Sequence, residues 1–161
     1  MLVLFELIDD LSEGKVEFYT IKLEGKDVYE FEEFEDKDFP DHKAELYELY
    51  NVIDEMRLRG AKKRYFKFEE NAHAMPYVSN EIKESNKKDW GIRLYCIFIN
   101  EGKVVLLNGD IKTHRNPRMC ELVRKHFDLA RRIGTILDKA ILNKEINILE
   151  PRSLDQFEIM I

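Results

Sequence analysis

Two clusters of residues in this 161-residue chain have the right types and spacing for chemistry on an anion. In the stretch Trp90–Thr113, WGIRLYCIFINEGKVVLLNGDIKT, Arg93 and Tyr95 lie near one end and Lys112 at the other, with His114 and Arg115 just beyond. A guanidinium offers a planar, bidentate fork that never deprotonates. The ammonium adds a second cation, and an imidazole titrates near neutrality. Such a set suits the gripping of a phosphate. The second cluster is Arg57, Arg59, Lys62, Lys63, Arg64 and Lys67, interleaved with Tyr65, Phe66 and Phe68. Cations beside aromatics bind phosphates and stack on unpaired bases. A solvated helix end beside core aromatics accounts for that run equally well, because the helix dipole favours cations there. His73 has the same two readings, a group acting in a groove or a structural histidine.

The elements that must hold these residues are read from periodicity. Ile92–Ile99 is a β-branched and aromatic run, Asn100–Lys103 is a turn containing Gly102, and Val104–Leu107 is a second apolar run. Together they predict a β-hairpin whose strands are covered on both faces. Strict alternation puts Tyr95 on the same face as Arg93. Leu2–Ile8 and Lys15–Leu23 read as strands joined by a turn at Ser12–Gly14. Asp27 with Glu30 resembles a capping box ahead of Val28, Phe31 and Phe34. Residues 36–41 break that helix, and Pro40 opens a longer one with Leu46, Leu49, Tyr50, Ile53 and Met56 on one face and Gly60 as its stop. Tyr65–Phe68 and Ala74–Val78 are strand candidates, with Pro76 confining the latter to a sheet edge. Lys83–Asp89 is polar and reads as a loop. Asn116-Pro117 opens a helix over Pro117–Lys144 with Met119, Leu122, Val123, Phe127, Ala130, Ile133, Leu137 and Ala140 as its apolar positions. The tail from Ile146 contains Pro151 and docks in pieces.

Composition sets further bounds. Hydrophobic residues make up 44% and charged residues 36%, enough for one ordinary core within one domain. No apolar run approaches the length of a bilayer span, and MLVLFELIDD lacks a basic leader and a cleavage site. Cys96 and Cys120 have no metal-like spacing, which points to reduced thiols in a cytoplasm. Asp41 and His42 have no zinc-ligating companions at a usable spacing, and the seven glycines form no phosphate-cradling run. The net charge of −6 hides an asymmetry: residues 1–50 carry 16 acidic and 5 basic side chains, the remainder 16 and 21. One explanation is a face that attracts anions; another is that acidic helices come first.

The stretch Gly91-Ile92-Arg93-Leu94-Tyr95-Cys96-Ile97-Phe98, then Gly102-Lys103-Val104-Val105-Leu106-Leu107-Asn108-Gly109-Asp110-Ile111-Lys112-Thr113, resembles the phage-derived HigB-like branch of the RelE/HigB toxins of type II toxin–antitoxin modules. The shared letters are an arginine-plus-tyrosine strand, a Gly turn, an apolar strand and a lysine-threonine pair. In outline the likeness runs from Val16 to Ala140, with the helical pair at Asp27–Gly60 in the place of the family's early helices. It implies an α+β, RelE-like fold, a twisted and mainly antiparallel sheet with that pair and a C-terminal helix, extended beyond about residue 146. It also implies a cytoplasmic, metal-independent endoribonuclease without cofactor, cleaving messenger RNA on the ribosome and partnered by a helix-turn-helix antitoxin. Under it Arg93 clamps the phosphate, Lys112 makes a second phosphate contact, Tyr95 orients the nucleotide and His114 shuttles protons. Lys62, Lys63, Arg64, Lys67 and Arg115 would face RNA. A non-catalytic RelE-fold binding module is the alternative. The computed isoelectric point near 5.4, the greater length and His114-Arg115 after the lysine-threonine pair depart from the family pattern. For Leu154–Ile161, covering the groove, adding a strand and mediating a homodimer all stay open. The ribonuclease chemistry requires Arg93 and Lys112 to meet at one hollow that can grip a nucleic-acid linkage, burial against acidic partners would remove it, and the RNA path requires Lys62–Arg64 to converge there.

Overall fold

The computed structural model describes residues 1–75 and 91–161, which form a seven-stranded, mainly antiparallel sheet with helices on both faces. The strands are β1 (Leu2–Leu7), β2 (Glu17–Leu23), β3 (Lys67–Glu69), β4 (Ala72–Met75), β5 (Ile92–Asn100), β6 (Lys103–Ile111) and β7 (Glu158–Met160). Their spatial order is β3-β4-β5-β6-β2-β1-β7, and among these pairings only β2 with β6 is parallel. Parallel neighbours need a long crossover. Here it contains α1 (Glu30–Glu35), α2 (Lys43–Arg59) and the strands that lead to β6. A third helix, α3 (Glu121–Leu142), follows β6.

The β5–β6 hairpin is the centre of the sheet, and its alternating side chains feed two cores. One face carries Leu94, Cys96, Val104 and Leu106 into a core with Phe31, Phe34, Leu49, Ile53 and Met56 of α1 and α2. The other carries Tyr95, Ile97, Val105 and Leu107 into a core with Val123, Phe127, Ala130, Ile133 and Leu137 of α3. Both cysteines are free and buried. At the turn end, the buried Lys103 ammonium pairs with Glu17 and donates to the Glu150 carbonyl at 2.9 Å, pinning β2, β6 and the tail together.

Two local expectations are corrected. Asp27 does not cap α1: the N-cap residue is Tyr29 without a side-chain cap bond, Lys26 holds Glu30, and the Thr20 hydroxyl accepts from the Phe31 amide. The strand before Pro76 is internal rather than an edge. It ends at Met75 and lies between β3 and β5, because Ala72 and Ala74 are small enough for α3 to pass over them. Pro76 itself and the loop expected at Lys83–Asp89 lie outside the described residues. The tail does contribute a strand, β7 pairing with β1.

Gly109 is the tightest backbone approach in the hairpin, since a Cβ there would overlap the Arg93 carbonyl. Overpacking against backbone cannot be relieved by a rotamer change. Gly109→Ala is expected to lower unfolding stability by about 2 kcal/mol or more, measured as a shift of the urea midpoint at unchanged slope.

Candidate functional site: a closed cationic cluster under the third helix

Arg93 and Tyr95 open β5 and point to the α3 side, as alternation requires. Lys112 follows β6, and its amide donates to the Gly91 carbonyl at 2.8 Å, which places it level with the start of β5. The three side chains therefore gather at the end of the hairpin away from the turn. All are buried, Arg93 at 0%, Tyr95 at 0% and Lys112 at 1% exposure. Glu69, from the end of β3, completes the group. The Lys112 ammonium donates to Glu69 Oε1 at 3.2 Å, and Lys67 reaches the same oxygen at 3.4 Å.

The hydrogen bonding in the cluster is incomplete. Arg93 Nη1 donates to the Ile92 carbonyl at 3.0 Å, while among the described residues its Nε and Nη2 have no hydrogen-bond partner; nor do the Tyr95 hydroxyl and Glu69 Oε2. A buried polar atom left unpaired costs about 1–3 kcal/mol, more when charged. Burial draws the Arg93 guanidinium below its ordinary pKa, Glu69 opposing. Burial likewise brings Lys112 down to about 8, again with Glu69 as the main opposing influence. The Tyr95 phenol is pushed upward by burial and is neutral. Glu69 faces both Lys112 and Lys67, and Glu45 adds a second negative influence on Arg93.

Cys120 borders the cluster. It is the N-cap residue of α3, and its sulfur accepts from the Thr113 amide at 3.2 Å with the Thr113 hydroxyl also at 3.2 Å. Burial alone would raise the thiol, but hydrogen bonds from Thr113 and the amides of Val123 and Leu122 outweigh it and hold the pKa below its ordinary value. The other sequence candidates lie elsewhere. Lys62 pairs with Glu101 in the β5–β6 turn at 3.1 Å, and Lys63 and Arg64 are exposed beside it. Arg93 and Asn100 are seven residues apart along β5, so this run stands about 23 Å from Arg93 at ~3.3 Å per residue. The expected convergence is therefore corrected: Lys67 joins the cluster, and Lys62, Lys63 and Arg64 do not. The hollow is corrected too, since the two cations meet inside the protein, against a carboxylate.

His114 and Arg115 are exposed, and His114 Nδ1 accepts from the Asn116 amide at 3.0 Å. His73 is structural: its Nδ1 accepts from the Phe98 amide at 2.7 Å, and burial brings its pKa down to about 4. A second polar group joins Lys37, Asn108, Gly109, Glu33 and His126, but there Lys37 donates to Asn108 Oδ1 at 3.0 Å and the Gly109 carbonyl at 2.6 Å, and Asn108 to Glu33 at 2.9 Å. These polar groups are largely paired, so this set reads as a tie between α1, β6 and α3.

Glu69 and Cys120 were not singled out by sequence. Glu69 had one usable signal, its alternation with Lys67 in a strand that ends a basic run. Since Glu69 raises the Lys112 pKa, Glu69→Gln is expected to move it below about 8, read from an NMR titration of the ammonium. The sign for stability follows. The folded-state pKa lies below the ordinary 10.5, so the unfolded chain holds the extra proton between about 8 and 10.5, and this group's contribution rises with pH across that window. Urea midpoints at those two pH values should show the rise in the wild type and not in Lys112→Met.

No protein-family model matches the chain, and no curated protein or solved structure matches it either.

Proposed function

We propose that the chain is a RelE-like domain of a toxin–antitoxin module, a metal-independent endoribonuclease whose phosphate-gripping groups are assembled in a closed form. The observation that carries the reading is the meeting of Arg93, Tyr95 and Lys112 at one end of the central hairpin, with two guanidinium nitrogens and a phenol left unpaired. The order of elements adds support: two strands, two helices, then an antiparallel run ending in a basic segment and a long helix.

In RNA transesterification the ribose 2′-oxygen loses its proton and attacks the adjacent phosphorus, and the 5′-oxygen leaves with a proton. The pentacoordinate phosphate gathers negative charge, so fixed cations lower the barrier. Arg93 would take two phosphate oxygens through Nε and Nη2, and Tyr95 would donate to one. Lys112, an ammonium brought down to about 8, suits the acid that protonates the departing 5′-oxygen. The mRNA, the ribosome and a helix-turn-helix antitoxin are the partners this reading implies.

One observation favours a second reading, the non-catalytic binding module. Lys112 is engaged by Glu69 and neither cation reaches solvent, so the closed form does not cleave. Expression in a bacterial host separates the two. Growth arrest, relieved by Arg93→Ala with Lys112→Ala and accompanied by RNA cleavage that persists with chelator, supports the ribonuclease. A loss of at least a hundredfold in cleavage rate is expected for Arg93→Ala, in line with removal of one oxyanion contact. Equal harmlessness of wild type and double variant, with capture of a neighbour-encoded partner, would establish the binding module instead.

A further inference from the structure

The turn joining β3 to β4 is fastened to the body through three successive side chains. Glu69 holds Lys112 from beneath. Glu70 takes Arg118 through both oxygens, at 2.7 and 2.8 Å, and also pairs with Arg131. Asn71 donates to the Thr135 hydroxyl at 2.9 Å, and its carbonyl lies where a Cβ on Gly134 would stand. Arg118 and Arg131 both lie over the Phe127 ring, 5.5 and 5.7 Å from its centroid, and that ring packs on Tyr95 at 5.9 Å. Lys112, Arg118 and Arg131 are thus held by two adjacent carboxylates, and the Tyr95–Phe127 ring pair connects the two arginines to the buried cluster.

We propose that this turn imitates a nucleic-acid backbone: the carboxylates of Glu69 and Glu70 stand where two successive phosphates of single-stranded RNA bind when the turn lifts. The inference rests on the phosphate-gripping reading of Arg93 and Lys112. It adds Arg118 and Arg131 as RNA contacts and gives Glu69 and Glu70 the role of an internal competitor.

Three features suit the turn to lifting. The strand β3 is three residues long and forms the sheet edge, so few ladder bonds hold it. Glu70 sits at φ +56°, a left-handed conformation that costs a non-glycine residue of its kind about 1 kcal/mol. Its ion pairs are between a third and a half exposed, where net gains are small. Against this, parting Lys112 from Glu69 would strand buried charge unless another anion arrives. Arg93 already has two donors waiting for it. The turn therefore stays down alone and yields to a polyanion.

The test is binding of a short, dye-labelled oligouridylate, followed by fluorescence anisotropy at several salt concentrations. Variants are Glu70→Gln, Glu69→Gln with Glu70→Gln, and that pair combined with Arg118→Ala and Arg131→Ala. Glu70→Gln alters only exposed groups, so it reports even where the pair fails to fold. Expected are severalfold tighter binding for Glu70→Gln and at least tenfold for the pair. The salt slope should steepen by about 1.4, the value for two further single-strand phosphates, and the gain should vanish without the two arginines. Unchanged affinity in Glu70→Gln, or a gain that survives loss of both arginines, would overturn the proposal. Anisotropy reads binding alone. A wild type that binds without cutting defeats the ribonuclease, whereas a cutting enzyme whose affinity ignores Glu70 defeats only the mimic.

Discussion

A strand covered on both faces gives a long cationic side chain no route to water, and β5 is such a strand at Arg93. Ile92–Ile97 is buried throughout, with α1 and α2 supplying one cover and α3 the other. The guanidinium cannot snorkel, and it cannot shed its proton at any ordinary pH. Its surroundings must supply negative charge or leave donors idle. The protein does some of each: Glu69 stands in the same cluster, yet Nε and Nη2 remain unpaired. Much of the surrounding arrangement answers to that one buried cation. Lys112 sits beside it, Tyr95 lies one alternation further along the strand, and the β3–β4 turn is drawn onto α3 so that its carboxylates face inward and outward in succession.

The anchoring of α3 belongs to the same arrangement. Its first turn is set by Cys120, whose sulfur receives the Thr113 amide, and by Asn116, which accepts from the Arg118 amide in the preceding turn. Those bonds fix where Arg118 and Phe127 stand, and hence where Glu70 can dock. Gly134 allows the Asn71 carbonyl to approach the helix, which keeps β4 close enough for Ala72 and Ala74 to pack. Small residues on the strand and a glycine on the helix let a short edge hairpin lie flat over a charged cluster.

Much of this fold was legible in the sequence because the longest elements have the strongest periodicity. The runs Ile92–Ile99 and Val104–Leu107 became strands Ile92–Asn100 and Lys103–Ile111, and the apolar positions from Val123 to Ala140 are buried, whereas Met119 and Leu122 ahead of them are exposed. Alternation alone placed Tyr95 beside Arg93. The misses have local causes. Asp27 lost its capping role because Lys26 and Thr20 took the groups it would have used, and the edge reading failed because β3 pairs along the outer side of β4. Glu69 was invisible because a single carboxylate among Lys62, Lys63, Arg64 and Lys67 reads as a surface counter-charge until β3 is seen beside β4. The basic run was split by the same step: Lys67 turned inward with the strand, while Lys62 stayed at the far turn.

Charge counting shows why a carboxylate at this place would hold such a site shut. With Glu69 down, its carboxylate partly neutralises the cations that a phosphodiester would meet in the proposed reaction. The phosphorane formed during transesterification holds about one further negative charge, and a fixed carboxylate beside it would raise the barrier in proportion to that charge. With Glu69 lifted, the cations number two against one phosphate, and the surplus matches the charge that develops on the way to the transition state. Differential stabilisation of that kind, and not tight binding of the substrate, is what accelerates a reaction. A carboxylate that neutralises the resting site and withdraws when RNA enters meets both needs. In the proposed reaction it would spare the fold two buried cations without a counter-ion, and its withdrawal would restore their full field to the phosphate.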